Sequence, residues 1–187
     1  MPLKLAVLAA LLAATAAMAA PVRTPHVEAE LVSERTAVVP GQPLTIALRL
    51  AMIPGWHTYW RNPGDSGEPT RIEWRLPAGF AAGPIEWPIP RPLPVGPLMN
   101  YGYEGEVLLL SRVTPPPALP LGRPVTLSAK ATWLVCEVQC IPEEAELALL
   151  LPAASTASDD PRWAKTIAAA RTALPAPPDA LTGWRIT

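Results

Sequence analysis

Net charge is nearly absent from this sequence, and that absence excludes one broad class of function. The 187 residues include 15 Lys and Arg and 16 Asp and Glu, for a formal net charge of −1 at pH 7. Proteins that bind nucleic acid usually carry a basic patch or stripe that neutralises phosphates. The chain has no such stripe, so nucleic acid is not an expected partner.

Long hydrophobic runs are also lacking. The most apolar stretch, Leu5 to Ala17, is shorter than the ~20 residues that a membrane-spanning helix needs. Lys4 precedes this stretch and small residues follow it up to Ala20, which is the order found in a secretory signal peptide. We therefore expect residues 1–19 to be a cleaved signal peptide and the mature protein to be exported.

Long helices are excluded as well, because 26 prolines and 11 glycines interrupt the chain at short intervals. Between these turn residues, apolar and polar residues alternate as in half-buried strands. The predicted strands are Val27–Ser33, Leu44–Leu50, Trp56–Trp60, Ile72–Leu76, Glu106–Val113, Val125–Val135 and Ala145–Leu151. The segment from Gly83 to Pro97 contains six prolines and is expected at a sheet edge or in a loop. Together these features predict an all-β sandwich.

One short helix is predicted near the C-terminus. It opens at Asp159 or Asp160, ends before Pro175, and carries one apolar face that is expected to pack on the sandwich. A Pro-rich linker follows, and Leu181 to Thr187 resembles a strand, either the first of another domain or an addition to the sandwich. We divide the chain into a signal peptide at 1–19, a sandwich at 20–153, and a segment at 154–187 that contains the helix, the linker and a possible start of a further domain.

Cysteine is scarce, since Cys136 and Cys140 are the only two in the chain. In an extended strand their Cα atoms would lie roughly 13 Å apart, whereas a disulfide needs about 4.4 to 6.8 Å. The chain must therefore turn between them if they are to bond. A bond across so short a loop adds only about 2 kcal/mol of stability. Such a bond is more easily explained as one that is made and broken, so a redox-active pair is the leading interpretation.

Two other interpretations of the pair stay open. The first is a passive structural disulfide, which is common in exported proteins. The second is a copper-binding site in which Cys136 and Cys140 are ligands, because thiolates bind copper(I) and zinc. His57 or His26 would supply a third ligand. In the redox interpretation, neighbouring carboxylates such as Glu137 disfavour a thiolate, so access to the sulfurs is the expected control.

Two aromatic segments are candidates for controlling that access. Tyr101 and Tyr103 lie among glycines, and we expect a mobile aromatic loop there that covers the sulfur pair. Trp56 and Trp60 are spaced by an even number of residues, so they are expected to share one strand face in the core. The first segment is therefore the stronger candidate for a shield.

Four motifs together resemble a known family. They are Gly55-Trp-His-Thr-Tyr-Trp60, Asn62-Pro-Gly-Asp-Ser-Gly67, Asn100-Tyr-Gly-Tyr103 and Trp133-Leu-Val-Cys-Glu-Val-Gln-Cys-Ile-Pro142. They resemble the N-terminal periplasmic domain of the DsbD and ScsB-like transmembrane thiol:disulfide interchange proteins, over roughly residues 27–152. The cysteine spacing is closer to the ScsB-like branch.

This resemblance implies an immunoglobulin-like β-sandwich in the periplasm that carries electrons without a bound cofactor. Cys136 and Cys140 would be the exchanging pair, and the Tyr101 and Tyr103 segment a shield. His57 and Trp60 would belong to a partner surface. The implied partners are a membrane-embedded thiol reductase and periplasmic thioredoxin-like or disulfide isomerase proteins. The implied processes are cytochrome c maturation, disulfide correction or copper-stress defence, and a copper-binding or purely structural module is the alternative.

The sequence also departs from complete members of that family. They continue into a multi-span membrane domain and usually a thioredoxin-like domain, which are not found before Thr187. A second cysteine pair is missing too. We therefore expect either a separate reductase or a chain that is the leading piece of a split or truncated gene.

Overall fold

Two antiparallel β-sheets and one helix make up the computed structural model, which describes residues 20–176. The strands are β1 (Val22–Arg23), β2 (Val27–Ser33), β3 (Leu44–Met52), β4 (His57–Gly64), β5 (Arg71–Arg75), β6 (Ala81–Glu86), β7 (Arg91–Val95), β8 (Leu98–Glu104), β9 (Glu106–Thr114), β10 (Pro124–Cys136) and β11 (Cys140–Pro152). The helix α1 spans Ala164–Thr172. One sheet has the order β1-β2-β3-β9-β6 and the other β11-β10-β4-β8-β7, with β5 paired along β10.

The two sheets bury one apolar core between them. Alternate residues of β10 from Leu127 to Val135 are buried, and they belong to the same apolar cluster as Ile46 and Leu48 of β3. This burial follows the period of two that places successive strand side chains on opposite faces. The predicted all-β sandwich with one short helix is confirmed.

The Pro-rich segment forms strands at both sheet edges, as expected for residues that cannot donate a backbone hydrogen bond. β6 is the last strand of one sheet and β7 the last strand of the other. The strand predicted at Trp56–Trp60 starts one residue later, at His57, and continues to Gly64.

The segment containing Tyr101 and Tyr103 is a strand, β8, and the expectation of a mobile loop there is wrong. Gly102, between the two tyrosines, is needed for close strand packing rather than for flexibility. A Cβ atom on Gly102 would lie 2.0 Å from the backbone oxygen of Thr58, so only glycine lets β8 approach β4.

The helix begins later than predicted, at Ala164 with Trp163 at the N-cap. Asp160 instead forms a turn just before it, where its carboxylate accepts a hydrogen bond from the backbone N–H of Arg162 at 2.8 Å. Ile167 is fully buried and packs on the outer side of the first sheet, against residues such as Ala47 and Leu110. The predicted apolar helix face therefore packs on the sandwich.

Some predictions lie outside the described residues. These are the signal peptide at 1–19 and the strand from Leu181 to Thr187. Within residues 20–176, no helix has the length and apolar character needed to cross a membrane.

Candidate functional site

The two cysteines face each other at the end of the longest hairpin of the fold. β10 and β11 pair along their whole length, from Pro124 opposite Pro152 to Cys136 opposite Cys140. The turn between the cysteines brings their Cα atoms to 4.2 Å, and the two sulfurs form a disulfide bond. The turn that the cysteine spacing required is therefore present, and it is a hairpin tip.

The two cysteines differ in their exposure. Cys136 is 2% exposed, whereas Cys140 and the turn residues before it are exposed, with Val138 at 91%. Strand order explains the difference. β10 lies between β11 and β4, with Cys136 opposite His57, whereas β11 is at the edge of its sheet. An incoming thiolate can therefore reach Cys140 more directly than Cys136.

A tyrosine hydroxyl lies beside the disulfide. The Tyr59 Oη donates a hydrogen bond to Cys136 Sγ at 3.0 Å and lies 3.6 Å from Cys140 Sγ. The His57 Nε2 lies 3.3 Å from the same Oη. Because His57 is directly opposite Cys136 and strand residues alternate, His57 and Tyr59 lie on the face of the sheet that carries Cys136.

A short loop holds the Tyr59 ring in place. Gly67 has φ +93°, and a Cβ atom there would lie 2.3 Å from a carbon of the Tyr59 ring. The Asn100 Oδ1 accepts hydrogen bonds from the backbone N–H and the hydroxyl of Ser66, at 3.0 and 3.1 Å. Asp65 accepts one from the backbone N–H of Met99 at 2.7 Å. These bonds attach the 65–67 loop to β8. Gly67 in that loop contacts the Tyr59 ring, so the loop covers Tyr59.

Burial keeps both polar groups beside the disulfide uncharged near neutral pH. It raises the pKa of Tyr59, which a hydrogen bond with Ser66 lowers in part. It lowers the pKa of His57, and the carboxylate of Glu104 opposes this effect. The hydroxyl therefore keeps its proton, and the imidazole is neutral.

Tyr101 and Tyr103, predicted to cover the sulfurs, lie on the other face of the sheet. Tyr103 is directly opposite Thr58, whose neighbours His57 and Tyr59 point the other way. Its hydroxyl donates to the backbone oxygen of Pro88 at 2.8 Å, and burial raises its pKa. Tyr101 is two residues before Tyr103 on β8, so its side chain lies on the same face of the sheet as that of Tyr103. Tyr59 is the tyrosine that contacts the sulfurs. It is two residues from His57 on a predicted strand, and this spacing, which places both side chains on one face, was the signal available in the sequence.

The two residues expected at a partner surface are not prominent on the surface. His57 is 6% exposed, which leaves its ring in contact with Tyr59 rather than with solvent. Trp60 is half-buried and packs against the main core, with the guanidinium of Arg61 5.0 Å from its ring centre. Cys140 and the turn residues before it, by contrast, are exposed.

The predicted metal ligands are engaged in other contacts. The sulfurs of Cys136 and Cys140 are bonded to each other. His26 contacts the Glu143 carboxylate at 2.6 Å and stacks on the Trp56 ring at 3.8 Å. In the described part of the chain, no group of three or more His, Cys, Asp and Glu side chains is arranged to hold a metal ion.

Comparison with known proteins identifies a family and a similar solved structure. The family described as "Thiol:disulfide interchange protein DsbD, N-terminal" matches residues 28–152. The crystal structure of the N-terminal periplasmic domain of ScsB from Proteus mirabilis is 20% identical, with a TM-score of 0.62 over 86% of this chain. The chain spans 60% of the length of that structure. This likeness shows that the fold is shared, an immunoglobulin-like β-sandwich.

Two further findings support no conclusion about fold or function. The GAE domain of yeast GGA1 is 15% identical and covers 68% of this chain and 93% of its own, but its TM-score of 0.36 is too low to support a conclusion. No curated protein sequence matches the chain.

Proposed function

The chain belongs to the family of DsbD N-terminal domains, and from this premise we propose that it exchanges thiols and disulfides with other proteins through Cys136 and Cys140. The observation that carries the proposal is the unequal exposure of the two cysteines at the hairpin tip. An exchanging pair needs one sulfur that a partner can reach and one that can act within the molecule. Cys140 meets the first condition and Cys136 the second.

The proposed reaction proceeds through two mixed disulfides. A partner thiolate attacks Cys140 Sγ, the bond to Cys136 breaks, and Cys136 leaves as a thiolate. A second thiol of the partner then displaces Cys140, which leaves the pair reduced and the partner oxidised. The reduced domain repeats the chemistry in the opposite direction. Its Cys140 thiolate attacks a client disulfide, and Cys136 then attacks Cys140 to release the reduced client.

Location and partners follow from the same premise. We propose that residues 1–19 direct export and that residues 20–153 form the redox domain in the periplasm. The electron donor would be a membrane-embedded thiol reductase, and the acceptors periplasmic thioredoxin-like or disulfide isomerase proteins. Cytochrome c maturation, disulfide correction and copper-stress defence are the processes in which such acceptors take part.

The hairpin tip is the proposed contact surface for these partners. Exchange requires the attacking sulfur to come into contact with Cys140, so Val138 and its neighbours must lie at the interface. Val138 is an apolar side chain that is 91% exposed, and Glu137 next to it is exposed as well. A partner with an apolar depression beside its own cysteine would cover Val138 as the sulfurs meet.

A test with single-cysteine variants follows from the unequal exposure. The probe is thioredoxin whose second active-site cysteine is replaced by serine and whose remaining cysteine carries a thionitrobenzoate group, which is released as a coloured ion when a thiol of this protein attacks. We expect Cys136→Ala, which keeps the exposed Cys140, to form a covalent complex rapidly. We expect Cys140→Ala, which keeps only the buried sulfur, to react at least about tenfold more slowly, because exchange depends on access.

Two outcomes would count against the proposal. Equal rates for the two variants would show that exposure does not select the attacked sulfur. If Cys136→Ala forms no covalent complex while free cysteine reacts normally with the probe, the Cys136–Cys140 disulfide would be purely structural.

A further inference from the structure

A chain of hydrogen bonds connects a buried histidine on β4 to one sulfur of the disulfide. It runs from His57 Nε2 through Tyr59 Oη to Cys136 Sγ, with distances of 3.3 and 3.0 Å. We propose that Tyr59 is a catalytic residue whose hydroxyl stabilises the Cys136 thiolate as it leaves, and that His57 is a positioning residue for that hydroxyl. This inference rests on the proposed exchange function.

The direction of the chain follows from the atoms present. A disulfide sulfur carries no hydrogen, so the Tyr59 hydroxyl must be the donor in its contact with Cys136 Sγ. That hydroxyl has one proton, so in its contact with His57 it accepts. His57 must then carry its proton on Nε2. The neutral imidazole thereby polarises the hydroxyl toward the sulfur, and each bond strengthens the next.

The distances select one sulfur as the leaving group. The Tyr59 Oη is 3.0 Å from Cys136 Sγ but 3.6 Å from Cys140 Sγ. The sulfur nearer the hydroxyl is also the buried one, whereas the exposed Cys140 is the one that a thiolate can reach. The donor is therefore on the atom where negative charge develops, which is the arrangement that lowers the barrier of such a step.

The step balances without a proton transfer. An attacking thiolate forms a bond to Cys140 Sγ, and the electron pair of the broken bond goes to Cys136 Sγ. The attacking sulfur is oxidised to a mixed disulfide, and Cys136 is reduced to a thiolate. Tyr59 keeps its proton and donates a hydrogen bond that becomes charge-assisted and therefore stronger. The same bond stabilises Cys136 as the nucleophile when the mixed disulfide is resolved.

The acidic residues next to the site oppose formation of a thiolate, which the Tyr59 hydroxyl offsets. Glu104 is opposite His57 on β8, and Glu137 follows Cys136 in the turn. Both carboxylates disfavour a nearby thiolate. The imidazole of His57 is uncharged and contacts the hydroxyl rather than the sulfur. Tyr59 therefore supplies the stabilisation that a cation would supply elsewhere.

The test removes only the hydroxyl. Tyr59→Phe keeps the ring that packs against Gly67, and its disulfide is reduced by dithiothreitol at neutral pH, with acid quenching and mass spectrometry. We expect the rate to fall about tenfold or more relative to the unmodified protein, the effect of losing a hydrogen bond to a charged group. Tyr101→Phe is the matched control, because its hydroxyl is on the other face, and it should react at the normal rate.

Unfolded protein supplies a second control. In concentrated guanidinium chloride, Tyr59→Phe and the unmodified protein should react at the same rate, because the hydrogen bond exists only in the folded state. A difference that persists there would have another cause and would overturn the assignment.

The role of His57 is tested by rescue. His57→Leu removes the donor to Tyr59, and we expect the rate to fall about two- to threefold, the effect of losing one polarising bond. His57→Gln places an amide N–H where the imidazole Nε2–H was, and it should restore most of the rate. A purely structural role would make both variants equal, and equal rates would overturn the positioning role.

A small thiol separates this inference from the proposed function. Dithiothreitol needs no docking surface, so its rate reports the chemistry at the sulfurs alone. An unchanged rate in folded Tyr59→Phe would overturn the catalytic role while leaving protein exchange through Cys140 intact. Failure of the thioredoxin probe would overturn protein exchange, whatever the rate with dithiothreitol.

Discussion

At the scale of single residues, the position of Tyr59 depends on a residue that has no side chain. Gly67 adopts φ +93° and lies flat against the Tyr59 ring, where a Cβ atom would be 2.3 Å from a ring carbon. An alanine there would be strained by its backbone conformation and would also push the ring away. The absence of a Cβ at Gly67 therefore allows the Tyr59 ring to lie where its hydroxyl reaches Cys136 Sγ.

We expect Gly67→Ala to lower the free energy of unfolding by about 3 kcal/mol, from backbone strain and overpacking together. The matched control is Gly96→Ala, because Gly96 has φ +57° and no atom within 4 Å of an added Cβ. That variant should lose about 1 kcal/mol from strain alone. Urea denaturation measures both, and equal losses would show that the Tyr59 contact contributes nothing.

At the scale of elements, one charged contact attaches α1 to the sandwich. Arg171 in the last turn of the helix donates to the Glu34 carboxylate at 2.6 Å and to the Thr45 hydroxyl at 2.5 Å. The backbone N–H of Thr45 donates to the same carboxylate at 2.8 Å. Burial raises the pKa of Glu34. The hydrogen bonds from Arg171 and from the backbone of Thr45 lower it by more than burial raises it, so the net pKa lies below the ordinary value of 4.5.

A depressed carboxyl pKa makes this attachment sensitive to acid. The stability that Glu34 contributes is fully present above its ordinary pKa of 4.5 and is lost as the pH falls through the lower value of the folded protein. We expect the melting temperature to drop more steeply below that point in the unmodified protein than in Glu34→Gln, whose side chain does not titrate. Thermal unfolding from neutral to acidic pH measures this, and parallel curves would contradict it.

At the scale of the whole molecule, strand pairing holds the hairpin along its length in addition to the disulfide. β10 and β11 pair over 13 residues each, and β10 is also paired with β5 and β4. The disulfide closes only the short turn at the end of this ladder. We therefore expect the domain to keep its fold when the disulfide is reduced, as the proposed exchange requires.

We expect a variant with both Cys136→Ala and Cys140→Ala to keep its β-sheet circular dichroism and to unfold in one cooperative transition. Its melting temperature should fall by about 4–8 °C, because closing so short a loop contributes only about 2 kcal/mol. Calorimetry measures the shift. A fall several times larger, or loss of the fold, would identify the bond as a structural staple.

Local pattern was sufficient to predict the sandwich. Alternating segments such as Val27–Ser33 became strands with the expected bounds, because the period of two decides which side chains face the core. The prolines between Gly83 and Pro97 led to edge strands, because proline lacks the N–H that an inner strand needs. The cysteine spacing required a turn, and the four motifs indicated the family.

The sequence by itself thus determined the fold class, the need for a turn between the cysteines if they bond, and the family, since each depends on neighbours along the chain. Only the tertiary structure decided that Cys140 is exposed and Cys136 is buried, because this depends on which strand lies at the sheet edge. It also decided that Tyr59 contacts the sulfurs and that Tyr101 and Tyr103 lie on the opposite face. The pairing of β4 with β10 and β8 sets these positions, and it joins residues far apart in the chain that no local pattern relates.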